Sequence, residues 1–194
     1  MKLSCLRPLA ALLLTLGLAA CGGKASYDVS GTISGLRNEG LILANGGEDL
    51  TVEAGKTSFT FKKRIDYGTE YNITFKQQPA HMTCGISGGS GSAGHYINIS
   101  AAVTCLQNRY TVGGTISGLT VDGLVLINGS TITTVAKDAT TFTMTDTVAY
   151  GDTYGISVSE TQPKGLLCSV QPGTGGGTMG EANVTTVKIV CNPA

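Results

Sequence analysis

Apolar and polar residues alternate with a period of two along most of the chain after Lys24. Phe59 and Phe61 fall on one face of a predicted strand, and Ile73 and Phe75 fall on one face of another. No window of about twelve residues after Lys24 keeps a helical apolar stripe without interruption by glycine or a β-branched residue. Only 13% of the residues are charged and 28 are glycine, which suits strands joined by turns. The pattern predicts an all-β protein.

The alternating pattern is duplicated. Residues 27–73 recur at 110–156, 83 residues further along, and each copy is followed by its own pair of cysteines. The segment Gly31–Leu36 is identical to Gly114–Leu119. The copies share apolar residues and glycines, which indicates a retained core and retained turns rather than a retained active site. We predict a first β repeat over residues 27–106 and a second over 107–194, with the short link Leu106–Arg109 between them.

Each copy carries about seven short strands with turn signals between them, which is typical of a β-sandwich. We therefore expect two tandem seven-stranded, immunoglobulin-like β-sandwich domains, each with one disulfide. The Gly31-Thr32-Ile33 strand, the Gly40-Leu41 strand and the Tyr67-Gly68-x-x-Tyr71 strand resemble the immunoglobulin-like and transthyretin-like repeats of bacterial surface proteins. That resemblance implies the fold and no particular activity. The alternative is one continuous barrel across both copies, which the self-contained cysteine pairs disfavour.

The N-terminus has the pattern of an export signal. Lys2 and Arg7 form a basic start, and the apolar stretch Leu9–Leu18 follows. A membrane-spanning helix needs roughly 20 apolar residues, so this stretch is too short for a permanent anchor. We predict a signal peptide over residues 1–20 and a tether over residues 21–26 that leads into the first repeat.

The end of that signal, Leu18-Ala19-Ala20-Cys21, resembles the lipobox of bacterial lipoproteins. The resemblance implies cleavage before Cys21, a diacylglyceryl thioether on its sulfur and an acylated N-terminus, with long chains such as palmitate. Several buried acyl chains hold a protein on a membrane almost permanently. Gly22 stands where an aspartate would favour retention at the inner membrane, so the resemblance implies the outer membrane of the cell envelope. An ordinary secretory signal with a chance cysteine is the alternative.

Processing leaves four cysteines, Cys84, Cys105, Cys168 and Cys191. Four cysteines on an exported protein imply two disulfides. Three connectivities are open, and the repeat makes Cys84 with Cys105 and Cys168 with Cys191 the simplest of them. A four-thiolate metal site is the alternative, but structural zinc sites usually pair ligands two to four residues apart and no such spacing occurs. We therefore expect no metal and no cofactor.

Charge and side-chain chemistry exclude several classes of function. Without Lys2 and Arg7 the chain has 11 basic and 13 acidic side chains, a formal charge of −2, and so lacks the basic face typical of nucleic-acid binding. A hydrolytic triad needs a histidine beside a nucleophile and a carboxylate, yet the only histidines are His81 and His95, both in the first copy. We interpret these two as solvated loop residues, with a shared metal site as the alternative. The glycine-rich stretches 85–94 and 173–180 lack a Gly-Lys-Ser/Thr ending, so we predict flexible hairpin tips.

The residues that the copies do not share are the candidates for contact with a partner. They are His81, His95, Tyr96 and the basic run Lys62-Lys63-Arg64. The basic run could touch anionic lipid or glycan or could simply be a solvated strand end. Six of the seven tyrosines recur at equivalent positions, which indicates packing, whereas Tyr96 is free to serve recognition.

The function that follows is a non-enzymatic, membrane-anchored surface lipoprotein that displays two modules to an envelope or host protein or glycan. A purely structural spacer without a specific ligand is the alternative.

Overall fold

The computed structural model describes residues 25–95 and 99–194. The predicted signal peptide, Cys21 and Tyr96 lie outside the described residues. Every regular element in the described part is a β-strand, which confirms the all-β class. Within these ranges no helix is long and apolar enough to cross a membrane.

The first repeat consists of the strands that precede Asn108. They are β1 (Ser26–Tyr27), β2 (Val29–Ser34), β3 (Leu41–Asn45), β4 (Glu48–Val52), β5 (Ser58–Thr60), β6 (Ile65–Asp66), β7 (Glu70–Asn72), β8 (Thr74–Gln77), β9 (Met82–Ser87), β10 (Ser90–Ser92) and β11 (Ile99–Gln107). One sheet has the order β5-β2-β11-β9, and β1 pairs with β6 beside it. The facing layer has the order β4-β3-β8, and β7 pairs with β10.

The second repeat has the same plan with longer strands. They are β12 (Arg109–Ser117), β13 (Leu124–Asn128), β14 (Thr131–Val135), β15 (Thr141–Ala149), β16 (Thr153–Val158), β17 (Leu166–Val170), β18 (Gly176–Thr178) and β19 (Val184–Pro193). Its two sheets have the orders β15-β12-β19-β17 and β14-β13-β16-β18. β12 corresponds to β1 and β2 together, β15 to β5 and β6, and β16 to β7 and β8.

Each repeat buries its own hydrophobic core between its two sheets. In the first, Val29 and Val103 from one sheet meet Leu41 and Leu43 from the other, and all four are almost fully buried. In the second, Val112, Leu124, Leu126 and Ile189 occupy the corresponding places. These residues are the apolar positions of the alternating pattern. The prediction of two tandem β-sandwiches is confirmed, and each sandwich has an additional short strand that the sequence did not predict, β10 or β18.

The first and last strands of each repeat run parallel and side by side. β2 pairs with β11 from Val29 opposite Ile99 to Ser34 opposite Thr104. β12 pairs with β19 in the same sense. Because both strands point in one direction, the chain enters a repeat at one end and leaves it at the other. A nine-residue strand such as β11 spans about 30 Å, which is the length of each repeat along this direction.

The repeated glycine of the Gly-Thr-Ile segment is explained by this parallel pair. Gly31 and Gly114 lie inside β2 and β12, not in turns. A Cβ on Gly31 would lie 2.2 Å from the carbonyl oxygen of Ala101, and a Cβ on Gly114 would lie 1.8 Å from that of Val187. The last strand therefore approaches the first strand too closely for any side chain here.

Both predicted disulfides are present, Cys84–Cys105 and Cys168–Cys191. In each, the two cysteines are directly opposite each other on two antiparallel strands at one edge of the sheet that contains the parallel first and last strands. All four sulfur-bearing side chains are buried, so the bridges belong to the cores. The bridge joins neighbouring strands within one sheet rather than the two facing sheets.

The glycine-rich stretches are not flexible hairpin tips as predicted. Each contains a short strand that crosses to the other sheet, β10 beside β7 and β18 beside β16. A Cβ on Gly91 would lie 2.9 Å from the hydroxyl of Tyr71, and a Cβ on Gly177 would lie 2.8 Å from that of Tyr154. The glycines therefore make room for a tyrosine ring that covers the paired backbone.

Candidate functional site

The two repeats meet through an aromatic stack. The ring of His81, in the turn between β8 and β9, lies 3.8 Å from the ring of Tyr150 with an angle of 12° between the planes. The Nδ1 atom of His81 is 2.5 Å from a carboxylate oxygen of Glu181. His81 belongs to the first repeat, whereas Tyr150 and Glu181 belong to the second. One side chain thus holds two surfaces together.

Backbone hydrogen bonds close the same junction. Asn108, the only residue between β11 and β12, donates its amide to the carbonyl of His81 at 2.9 Å. Its own carbonyl accepts the amide of Tyr150 at 2.8 Å. The side-chain amide of Gln107 also donates to the carbonyl of Tyr150, at 3.2 Å. A link of one residue with both backbone groups bonded leaves little freedom for the repeats to swing.

The interpretation of His81 as a solvated loop residue is therefore wrong. Its side chain is only 31% exposed, and it has two partners from the other repeat. The alternative of a site shared with His95 fails as well, because His81 lies at the end where the chain leaves the first repeat and His95 lies at the opposite end. In the described parts of the chain, no group of three or more histidine, cysteine, aspartate or glutamate side chains is arranged to hold a metal ion.

The junction has a counterpart at the start of the first repeat. Tyr67 occupies the position of Tyr150, and its amide donates to the carbonyl of Ala25 at 2.9 Å, as that of Tyr150 does to Asn108. The amide of Gly68 bonds the carbonyl of Ala93, and the amide of Gly151 bonds that of Met179 in the same way. By this register Gly94 corresponds to Gly180 and His95 to Glu181. We call the surface formed by Ala25, Tyr67, Gly94 and His95 the N-terminal face.

Tyr67 does not pack in the core as its recurrence predicted. It is 68% exposed, although a Cβ on Gly94 would lie only 2.3 Å from its Cδ2 atom. The ring of Tyr67 is therefore close to the backbone of Gly94, while most of it faces solvent. Tyr150 leaves the equivalent Gly180 uncovered, because no atom lies within 4 Å of that Cβ position. The other described tyrosines, Tyr27, Tyr71, Tyr110 and Tyr154, pack against the cores as predicted.

The basic run Lys62-Lys63-Arg64 lies beside the N-terminal face and is exposed. The carboxylate of Glu48 accepts the amide of Lys62 at 2.8 Å and that of Lys63 at 2.9 Å. The guanidinium of Arg64 is 2.9 Å from a carboxylate oxygen of Asp28 and donates to the carbonyl of Ser26 at 2.7 Å. Through these bonds the run connects β1 and Glu48, the first residue of β4, to the start of β6. The side chains of Lys62 and Lys63 extend into solvent.

His95, the remaining candidate among the described residues, lies at the same end of the first repeat. His95 is exposed and follows directly on Gly94, so the N-terminal face gathers it with Tyr67 and, nearby, Arg64. An open depression beside them is lined by Asn45, Gly46, Lys63, Arg64 and Glu70 among others. Sequence comparison of the copies found His95 and the basic run because they are unshared. It also found His81 as an unshared residue but interpreted it as a solvated loop histidine, and it passed over Tyr67, since a shared tyrosine indicates packing.

Comparison with known proteins adds little to this picture. No protein-family model matches the chain, and no curated protein matches it. Among solved structures, the chain is similar to the major pilin protein (T3.2) from Streptococcus pyogenes serotype GAS13637, with 12% identity over 88% of this chain and 97% of the pilin chain. The TM-score of this match is 0.28.

Proposed function

We propose that the protein is a lipid-anchored, non-enzymatic lipoprotein of the bacterial cell envelope, on the outer membrane, that displays its β-sandwiches to a protein or glycan partner. The parallel pairing of first and last strands carries this proposal. Because of this pairing, Ala25, where the described part of the chain begins, lies at one end of the first repeat, and the second repeat follows from the other end.

The contacts at the junction favour rigid display of the two repeats and disfavour a pair of modules that move independently. The contacts of His81 with Tyr150 and Glu181, together with the bonded Asn108, hold the second repeat on the far end of the first. Rigid scaffolds of this kind set the position of loops that make contacts. A spacer without a ligand is the second candidate, and the same tight junction favours it, because a spacer has to keep its length.

The anchor is tested with the full-length chain expressed in a Gram-negative bacterium that is fed a radiolabelled fatty acid. We expect label on the protein and recovery in the membrane fraction, and we expect the matched variant Cys21→Ser to lose both. Label that survives in Cys21→Ser, or a parent chain that is secreted without label, would contradict the anchor.

Display is tested separately with a soluble fragment that begins at Gly22, on a glycan array and against purified envelope components. Binding should be reproducible and should fall when exposed loop residues such as Lys62, Lys63 or His95 are changed to alanine without loss of fold. If the anchor is found and no component binds, the spacer is the better account.

A further inference from the structure

The N-terminal face has the same backbone hydrogen bonds as the surface of the second repeat that contacts His81. Within the described residues, no repeat is docked on the N-terminal face. In the second repeat the same set of backbone bonds presents Tyr150, which the ring of His81 covers. In the first repeat it presents Tyr67, which is 68% exposed. Large aromatic side chains at structurally equivalent places are thus covered in one repeat and open in the other. The ring of Tyr67 therefore presents an open aromatic surface to a further partner.

The short chain between Cys21 and Ala25 limits which partner can cover Tyr67. Three residues lie between Cys21 and Ala25, and the four Cα–Cα steps span at most about 3.6 Å each, so the Cα atoms of these two residues lie within about 15 Å of each other. Tyr67 donates its amide to Ala25. If Cys21 carries acyl chains, its sulfur sits at the level of the lipid head groups. The N-terminal face is then held at the bilayer surface by a tether too short to let it turn far away.

We infer that the N-terminal face docks on the head-group region of the membrane that holds Cys21, with Tyr67 as its aromatic contact. The inference rests on the lipid anchor of the proposed function and names the surface that the anchor brings into contact. Tyrosine favours this region because its ring is apolar and its hydroxyl reaches water and polar head groups. Docking by this face orients the parallel strands β2 and β11 away from the bilayer.

The charges around the face decide which lipid it meets. The basic side chains are those of Lys62, Lys63 and Arg64, and the acidic ones are those of Asp28, Glu48, Asp66 and Glu70. Two of the acidic groups are bound to the basic run itself, Glu48 through the amides of Lys62 and Lys63 and Asp28 through Arg64. Lys24 of the tether brings the basic side chains to four, equal to the four acidic ones, so the contact does not depend on anionic lipid.

A second copy of the chain fits the N-terminal face poorly. In the junction it is the ring of His81 that covers Tyr150. In the second repeat the residue at the position of His81 is Gly165, whose carbonyl accepts the amide of Ala194 as that of His81 accepts the amide of Asn108. At the position equivalent to His81, the second repeat therefore offers no ring to cover Tyr67.

The absence of tryptophan from the sequence makes the test specific, because one introduced tryptophan reports from one place. The lipidated protein, purified from membranes, is reconstituted in phosphatidylcholine vesicles whose acyl chains carry bromine. Tyr67→Trp is compared with two controls, Tyr150→Trp at the equivalent position and Ile132→Trp, which is exposed in the second repeat. We expect bromine to quench the emission of Tyr67→Trp by at least half and to leave both controls nearly unchanged.

Equal emission from Tyr67→Trp and the controls would overturn the inference while the anchor stands. Quenching that requires anionic lipid would also overturn it, since the basic run would then be the contact. Unquenched but blue-shifted emission, together with a dimer in sedimentation, would assign the face to a second copy. If the intact mass shows no acyl chains on Cys21, the proposed anchor fails. The docking face is then tested separately, with the chain from Cys21 onward coupled through the Cys21 thiol to a maleimide phospholipid. Quenching of Tyr67→Trp in this preparation supports the docking face by itself, and its absence rejects it.

Discussion

The imidazole of His81 stacks on the phenol ring of Tyr150 at 3.8 Å, so the contact between the repeats depends on a residue that only one repeat has. His81 also has a positive φ of 58°, a conformation that costs energy for residues other than glycine. In the second repeat the equivalent position is Gly165, with φ of 74°. Histidine therefore replaces a favoured glycine at the one place where its ring can reach another repeat.

We predict that His81→Gly loosens the junction without damage to either core. Glycine removes the ring contacts, which are worth about 1 kcal/mol for a stacked aromatic pair, and the backbone strain that it relieves offsets part of this loss. Small-angle X-ray scattering of the soluble fragment should show a wider spread of overall dimensions. Tyr67→Ala, at the position equivalent to Tyr150, is the matched control and should leave the scattering unchanged. Identical curves for His81→Gly and the parent would show that the stack does not hold the repeats.

How far the sequence predicts this molecule depends on the range of the interaction. The alternation around Phe59 and Phe61 predicts strands because the side-chain period is local, and the duplicated cysteines predict the bridges because the copies constrain each other. The parallel pairing of β2 with β11 joins residues about 70 positions apart and leaves no periodic mark. In the first repeat, Gly31 is the residue in the sequence that reflects this pairing. A glycine is easily interpreted as a turn residue instead.

The candidate site was harder to predict for the same reason. Comparison of the copies finds residues that differ, such as His95, but Tyr67 and Tyr150 are identical in sequence and differ only in what covers them. Exposure depends on the arrangement of the repeats, which a single sequence does not encode locally. The glycine-rich stretches predicted flexible loops, but Gly91 and Gly177 instead make room for the ring of a tyrosine.

A second prediction concerns the close approach of the first and last strands. Gly114→Ala should destabilise the second repeat by about 1–3 kcal/mol or more, because the new Cβ overlaps the carbonyl of Val187 and the strands must separate. Gly85→Ala is the control, since nothing lies within 4 Å of its Cβ position and its φ is not in the left-handed region. Urea unfolding of each variant measures the change. Equal midpoints for Gly114→Ala and Gly85→Ala would contradict the tight parallel pair.

A third prediction separates the structural part of the basic run from its charges. Glu48→Ala leaves the amides of Lys62 and Lys63 without their carboxylate and should lower stability by about 1–2 kcal/mol. Lys62→Ala combined with Lys63→Ala keeps those amides, so it should change the free energy of unfolding by less than about 0.5 kcal/mol. Thermal unfolding of both variants gives the comparison. A larger loss from the double lysine variant would mean that the side chains, not the amides, hold this turn.

The last prediction tests whether the two cores unfold separately. Replacing Cys84 and Cys105 together by alanine opens a loop with a sequence separation of 21 and should destabilise the first repeat by about 3 kcal/mol. The second repeat has its own core and its own bridge with a separation of 23, so its unfolding should shift little. Hydrogen exchange during urea unfolding, followed peptide by peptide, distinguishes the repeats, and the Cys168 and Cys191 double variant is the mirror control. Loss of protection in both repeats at one urea concentration, for either variant, would show that the junction of His81 with Tyr150 couples them into a single folding unit.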